Sequence, residues 1–201
     1  MLDNLLALAA AVSVIEAVAV VLAIAYLVLA IRQNLLCWYA AFASSAIYLW
    51  IFFDARLYME SALQVFYAAM AIFGWYQWRY GGSKHEGVRI SVWQPVRHVT
   101  VIASVLVLSV IFGWVLSSTD AAFPYLDSFT TISAIVTTYM VARKVLENWI
   151  YWFLIDGLSV YLYTARELYL TAGLFVFYLV LVVLAFRAWL RDWRAQVAAV
   201  P

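Results

Sequence analysis

Long apolar runs separated by short polar marks set the pattern of this chain. They fall near residues 5–31, 36–53, 59–78, 98–117, 125–142, 148–165 and 168–190. A helix needs about 20 apolar residues to cross the hydrocarbon core of a bilayer, and several of these runs are a little shorter. In lipid every backbone polar group must be satisfied within the spanning structure, so runs of this length predict helices. Asp54 to Arg56 and Arg166 to Glu167 are the polar marks that split two neighbouring pairs. The pattern predicts an all-α integral membrane protein with seven transmembrane helices.

The runs are also related to one another. Shifted by 111 residues, Arg32 to Trp78 lies in gapless register over Arg143 to Trp189, with eleven identical positions. They include Trp38/Trp149, Phe42/Phe153, Tyr67/Tyr178 and Trp78/Trp189. Self-similarity at a fixed offset marks a duplicated structural unit. The offset carries the second span onto the sixth, four crossings away, and an even number of crossings preserves direction. The predicted architecture is therefore a 3+1+3 parallel repeat with a pseudo-two-fold axis along the membrane normal. Its parts are a first repeat over 1–78, a loop over 79–97, a linker helix over 98–117, a second repeat over 118–190 and a tail over 191–201. The linker run, Val99 to Leu116, carries no charge and has no repeat counterpart.

Composition agrees: 68% of the chain is hydrophobic and 11% charged, far from the balance of a soluble domain. With seven spans, ten Lys and Arg residues fall on one face, Arg32, Arg79, Lys84, Arg89, Arg97, Arg143, Lys144, Arg187, Arg191 and Arg194. Arg56 and Arg166 alone fall on the other. The excess of basic residues on cytoplasmic loops places the amino terminus outside and the carboxyl terminus in the cytoplasm. The first span has neither a basic flank nor a small-residue cleavage site, so it is expected to be a retained helix. Cys37 is the single cysteine, which excludes an internal disulfide and a cysteine-based metal site. His85 and His98 show no metal-ligand spacing and are expected to be solvated loop residues.

Chemistry is expected inside the spans, where an ionisable residue costs about 2.5–3.5 kcal/mol and needs a reason. Glu16 sits midway along the first predicted span, and Asp156 lies roughly 10 Å into the sixth. No Lys or Arg lies at matching depth. Protonation, a wet cavity or a cationic ligand are the remaining ways to accommodate them. At 100° per residue Trp149, Trp152, Asp156 and Tyr163 share one helix face. The repeat mates Trp38, Ser45 and Phe52 hold the same angles, with Ser44 and Tyr48 beside them. Gln64, Tyr67, Ala71, Trp75 and Trp78 line one face of the third span. These residues predict a cavity with π-faced walls and a few polar groups, suited to a flat aromatic cation. Trp38, Trp78 and Trp189 also lie near span ends, where Trp commonly anchors the lipid interface.

Several segments carry a family resemblance. Ile15–Glu16–Ala17–Val18, Leu63–Gln64–Val65–Phe66–Tyr67, Gly74–Trp75–Tyr76–Gln77–Trp78, Phe123–Pro124, Arg143–Lys144, Glu147–Asn148–Trp149 with Trp152, and Leu168–Tyr169 together resemble the PnuC family of vitamin transporters. The resemblance runs nearly the whole chain. It implies a fold similar to full-length SWEET-like transporters and a bacterial inner-membrane location. It also implies uptake of nicotinamide riboside by facilitated diffusion, trapped by a cytoplasmic kinase, and adds Asn148 to the candidate binding residues. One departure concerns the substrate: where the nicotinamide riboside type is expected to have asparagine in spans two and six, this chain has Ser44–Ser45 and Asp156. Thiamine, also an aromatic cation, and riboflavin, which is neutral, are the alternative family substrates.

The expected mechanism is rocking of two three-span halves about a midplane site without ATP, since no Walker-type motif is present. Proton coupling through Glu16 or Asp156 is the alternative. A retinal protein is excluded because Lys84 and Lys144, the two lysines, are in loops. No nucleophile with an adjacent base points to an enzyme, and no cofactor is expected. Ala9–Ala10–Ala11 and Ala40–Ala41 permit close helix packing within the chain or in a homo-oligomer.

Overall fold

The computed structural model describes residues 14–54, 58–119, 123–165 and 169–199. Parts of the sequence reading fall outside them: residues 5–13 of the first run, Ala9–Ala11, Arg56, Asp120, Arg166, Glu167 and the Leu57/Leu168 pair. The described residues form seven helices: α1 (Val14–Ile31), α2 (Leu36–Asp54), α3 (Tyr58–Tyr80), α4 (Pro95–Leu116), α5 (Pro124–Ala142), α6 (Asn148–Ala165) and α7 (Tyr169–Ala198). By length and apolarity alone α1, α2, α4 and Ala172–Ala198 of α7 are fit to cross a membrane. The other three carry more polar residues along their length.

The chain divides into two compact units, Met1–Gly87 and Val88–Pro201. In the first, α2 packs against both α1 and α3; in the second, α4 packs on α5, α5 on α6 and α6 on α7. Pro95 and Pro124 each occupy the start of a helix, where a missing N–H costs nothing and the fixed φ favours the turn. Two helix bounds extend past the runs read from the sequence. The linker helix starts at Pro95, so His98 lies in its first turn, and most of the expected tail is helical because α7 runs on to Ala198.

The turns that join α1 to α2 and α5 to α6 are built alike. Gln33 takes φ 52° and Lys144 φ 50°. Around them Gln33 N–H donates to Ala30 O at 3.0 Å and Asn34 N–H to Leu29 O at 3.0 Å, while Lys144 N–H donates to Val141 O at 3.0 Å and Val145 N–H to Met140 O at 2.9 Å. This is the Schellman helix ending, with a left-handed residue that is normally glycine. Every member of the first turn precedes its counterpart by 111 residues.

The tryptophans follow the same register. Trp38 and Trp78 meet edge to face at 5.3 Å and 86°, and Trp149 and Trp189 do so at 5.2 Å and 88°. All four are buried, Trp189 completely. This corrects the interface-anchor expectation for Trp38, Trp78 and Trp189: each ring locks two helices together, a pairing worth about 0.5–1.5 kcal/mol beyond its area. Gly74 makes one of these joints possible, because a Cβ there would overlap the Trp38 ring. Gly113 plays the same part between α4 and α5, where Tyr125 lies against its bare backbone.

Candidate functional site

Asp156 is 4% exposed on the buried face of α6. Among the described residues it has no hydrogen bond and no ion-pair partner, which agrees with the lack of a basic residue at its depth. Buried hydroxyls on its own helix and on α5, which packs against it, are already committed: Ser159 Oγ donates to Ile155 O at 2.9 Å, and Thr137 and Thr138 each donate to a carbonyl one turn back at 2.7 Å. A carboxyl held this way retains its acceptor capacity for something else.

Its helix carries the other second-unit candidates. Asn148 and Trp149 are buried with Asp156. Asn148 Nδ2 donates to Val145 O at 2.6 Å, but its Oδ1 and the Trp149 indole N–H have no partner among the described residues. Trp152, one turn before Asp156, is half-buried and makes no ring contact among the described residues. Tyr163 is half-buried and stacks on Phe175 at 5.2 Å and 22°. Asp156 and the Trp152 indole thus lie one turn apart on α6, and Tyr163 is engaged by α7.

The first unit holds Glu16, Ser44, Ser45, Tyr48, Gln64 and Tyr67. Glu16 is exposed near the start of the described part of α1; it lies within electrostatic range of Tyr48. Ser44 is spent on packing, since its hydroxyl donates to Ala19 O of α1 at 2.9 Å. Ser45, its neighbour, is buried without a hydrogen bond among the described residues. Tyr48 stacks on Phe52 at 5.5 Å. Gln64 is half-buried and its amide is uncommitted, and Tyr67 packs edge-on to Phe66 at 5.5 Å. An open aromatic groove of about 450 Å³ between α2 and α3 is lined by Trp38, Tyr39, Phe42, Ala71, Ile72 and Trp75. The indole N–H groups of Trp38 and Trp75 are buried without partners among the described residues.

Asp127, in the first turn of α5, stands 111 residues after Glu16. The sequence reading missed the setting of one group. His98 is no solvated loop residue. Its Nδ1 is 2.8 Å from Tyr151 Oη and its Nε2 3.5 Å from Glu147 Oε1, and Glu147 also accepts from Trp93 N–H at 3.4 Å. Pairs 53 or 54 residues apart leave no periodic trace in a sequence. His85, by contrast, is exposed, with its ring beside Tyr80 O.

Comparison with known proteins places this arrangement. The chain matches the nicotinamide mononucleotide transporter family over residues 13–191. It is 25% identical over 172 residues to the nicotinamide riboside transporter PnuC of Escherichia coli K12, covering 73% of this chain and 72% of that one. It is 27% identical over 173 residues to the riboflavin/roseoflavin transporter RibM of Streptomyces davaonensis, covering 84% and 81%. A crystal structure of the vitamin B3 transporter PnuC superposes with a TM-score of 0.69 at 21% identity, over 88% of this chain and 80% of the other. With several helices apolar enough to cross a membrane among its described residues and this match along nearly its whole length, the chain is a multi-pass membrane protein of the PnuC family of vitamin transporters.

Proposed function

We propose that this transporter carries a vitamin-type aromatic cation, nicotinamide riboside first among them, by facilitated diffusion. One observation carries the reading: a buried carboxyl, Asp156, without a protein cation, one turn from the uncommitted Trp152 ring. A pyridinium ring satisfies both, charge against the carboxylate and π-face against the indole. The relative named as a nicotinamide riboside transporter is consistent with it. No ATP enters; the gradient drives uptake, and phosphorylation by a cytoplasmic kinase keeps the internal concentration of free vitamin low.

The same reading takes all seven helices as membrane spans in a 3+1+3 parallel duplication, amino terminus outside and carboxyl terminus in the cytoplasm. The recurring Schellman turns and tryptophan pairs support the duplication.

A second reading is flavin transport, favoured by the larger share of the chain aligned with the riboflavin/roseoflavin transporter. Titration calorimetry of the purified protein with nicotinamide riboside, thiamine and riboflavin separates them. Binding of a cation, weakened about 10- to 100-fold in Asp156→Asn, is expected from loss of a charge-assisted contact. Tight binding of riboflavin alone, indifferent to that substitution, would overturn the cation reading. Proton coupling through Asp156 is tested in proteoliposomes, where an imposed inward proton gradient leaves the rate of a facilitator unchanged.

A further inference from the structure

A second, smaller cavity lies wholly within the Val88–Pro201 unit, away from α6's buried carboxyl. It has a volume of about 240 Å³, and its walls include Ser91, Trp93, Arg97, Tyr139 and Arg143. Among the described residues, two arginines and no carboxylate line it. We propose that this cavity binds the phosphate group of an anionic ligand.

Its walls are fixed before any ligand arrives. Ser91 pairs with Val145 in a short parallel bridge, with Ser91 N–H donating to Lys144 O at 3.0 Å and Leu146 N–H to Ser91 O at 2.8 Å. The Arg97 guanidinium is held over the Trp93 ring, 4.3 Å from its centroid. Trp93 in turn is tied through its backbone N–H to Glu147, and Glu147 to His98. The nearby carboxylate is thus turned to its own partners. Arg143 caps the end of α5, and Tyr139 lies in the last turn of the same helix.

Position and chemistry then select the ligand. Arg97 opens α4 and Arg143 closes α5, so both sit where two apolar helices end; on the membrane reading above, that is the depth of lipid headgroups. The lining, two guanidinium groups with hydroxyls beside them, suits an anion rather than a cationic vitamin. Guanidinium groups match the planar, paired oxygens of phosphate better than ammonium groups do, and a guanidinium already stacked on an aromatic ring loses less freedom on binding. A Tyr hydroxyl and a Ser hydroxyl on the same walls can supply neutral donors. The phosphate could belong to an anionic lipid or to a soluble phosphate, and the experiment distinguishes the two.

The full-length protein in a neutral detergent is melted with added inorganic phosphate, with phosphatidylglycerol and with phosphatidylcholine, each against sodium chloride of equal ionic strength. Native protein, Arg97→Gln and Arg143→Gln are compared, and an unchanged circular-dichroism spectrum and melting midpoint in the absence of additive confirms that each variant is folded. Stabilisation by phosphatidylglycerol over phosphatidylcholine, with the apparent affinity about ten-fold weaker in either variant, supports the site with a lipid as its source. The same loss for inorganic phosphate supports it with a soluble source. Stabilisation that persists in both variants, that chloride reproduces, or that neither phosphate compound produces would overturn the proposal. No vitamin enters these measurements, so their failure is distinct from failure of the transport reading. Should a variant fold poorly, Arg97→Lys and Arg143→Lys keep the charge but lose the paired donors, and a weakened phosphate response there serves the same purpose.

Discussion

At the scale of single residues, Asp156 and Gly74 illustrate opposite ways in which a side chain can be fixed by its surroundings. Among the described residues Asp156 is buried with its acceptors unused and the adjacent Trp152 has no ring partner, which on the proposed reading leaves both for the ligand. Trp152→Ala is expected to remove a cation–π contact of about 0.5–2 kcal/mol, a loss of roughly 2- to 30-fold in affinity read by calorimetry; unchanged affinity would show that the ring lies outside the binding face. Gly74 is fixed by absence of bulk, since any Cβ there meets Trp38. Gly74→Ala is expected to lower stability by about 1–3 kcal/mol through overpacking. Gly173, where an added methyl meets nothing within 4 Å, is the control: Gly173→Ala should leave the melting midpoint unchanged or raise it.

At the scale of elements, the two helix-ending turns decide how α1 hands over to α2 and α5 to α6. Both place a non-glycine residue, Gln33 and Lys144, in the left-handed region, a conformation costing about 1–2 kcal/mol for residues with a Cβ. A β-branched side chain suffers most there. Gln33→Val and Lys144→Val are each expected to destabilise by about 1–2 kcal/mol beyond Gln33→Gly and Lys144→Gly, which should be neutral or stabilising; thermal or denaturant melts in detergent measure the difference. Equal behaviour at the two sites would follow from their shared hydrogen-bond pattern. The loop leading into α4 is a different kind of element, joined to the α5–α6 turn by the Ser91–Val145 bridge and by the His98, Glu147 and Tyr151 cluster. Its tight packing comes from partners far apart in sequence, which explains why His98 reads as a solvated loop residue until the fold is known.

At the scale of the whole molecule, sidedness is a property that basic residues impose on the chain and that chemistry can check. Cys37 is fully buried, so the native protein offers a quiet background for thiol labelling. A cysteine introduced at Lys84, in the α3–α4 loop, is expected to react with a membrane-impermeant maleimide only after the cytoplasmic face is exposed; labelling in intact cells would invert the proposed orientation. The sequence by itself determined the membrane setting, the helices and the 111-residue register, because hydrophobic length and tandem similarity are linear properties written along the chain. It also determined the angular grouping of Trp149, Trp152 and Asp156, because residues on one helix are related by a fixed rotation. Only the tertiary structure decided which polar groups are committed. Ser44 is used by Ala19, whereas Ser45 beside it is not; Trp38 and Trp189 lock helices and do not face lipid; and Arg97 meets Arg143 around a common cavity. Each of these depends on which helix lies against which and at what height, and hydrogen bonds and ring contacts between distant segments are set by packing, which periodicity along one segment does not encode.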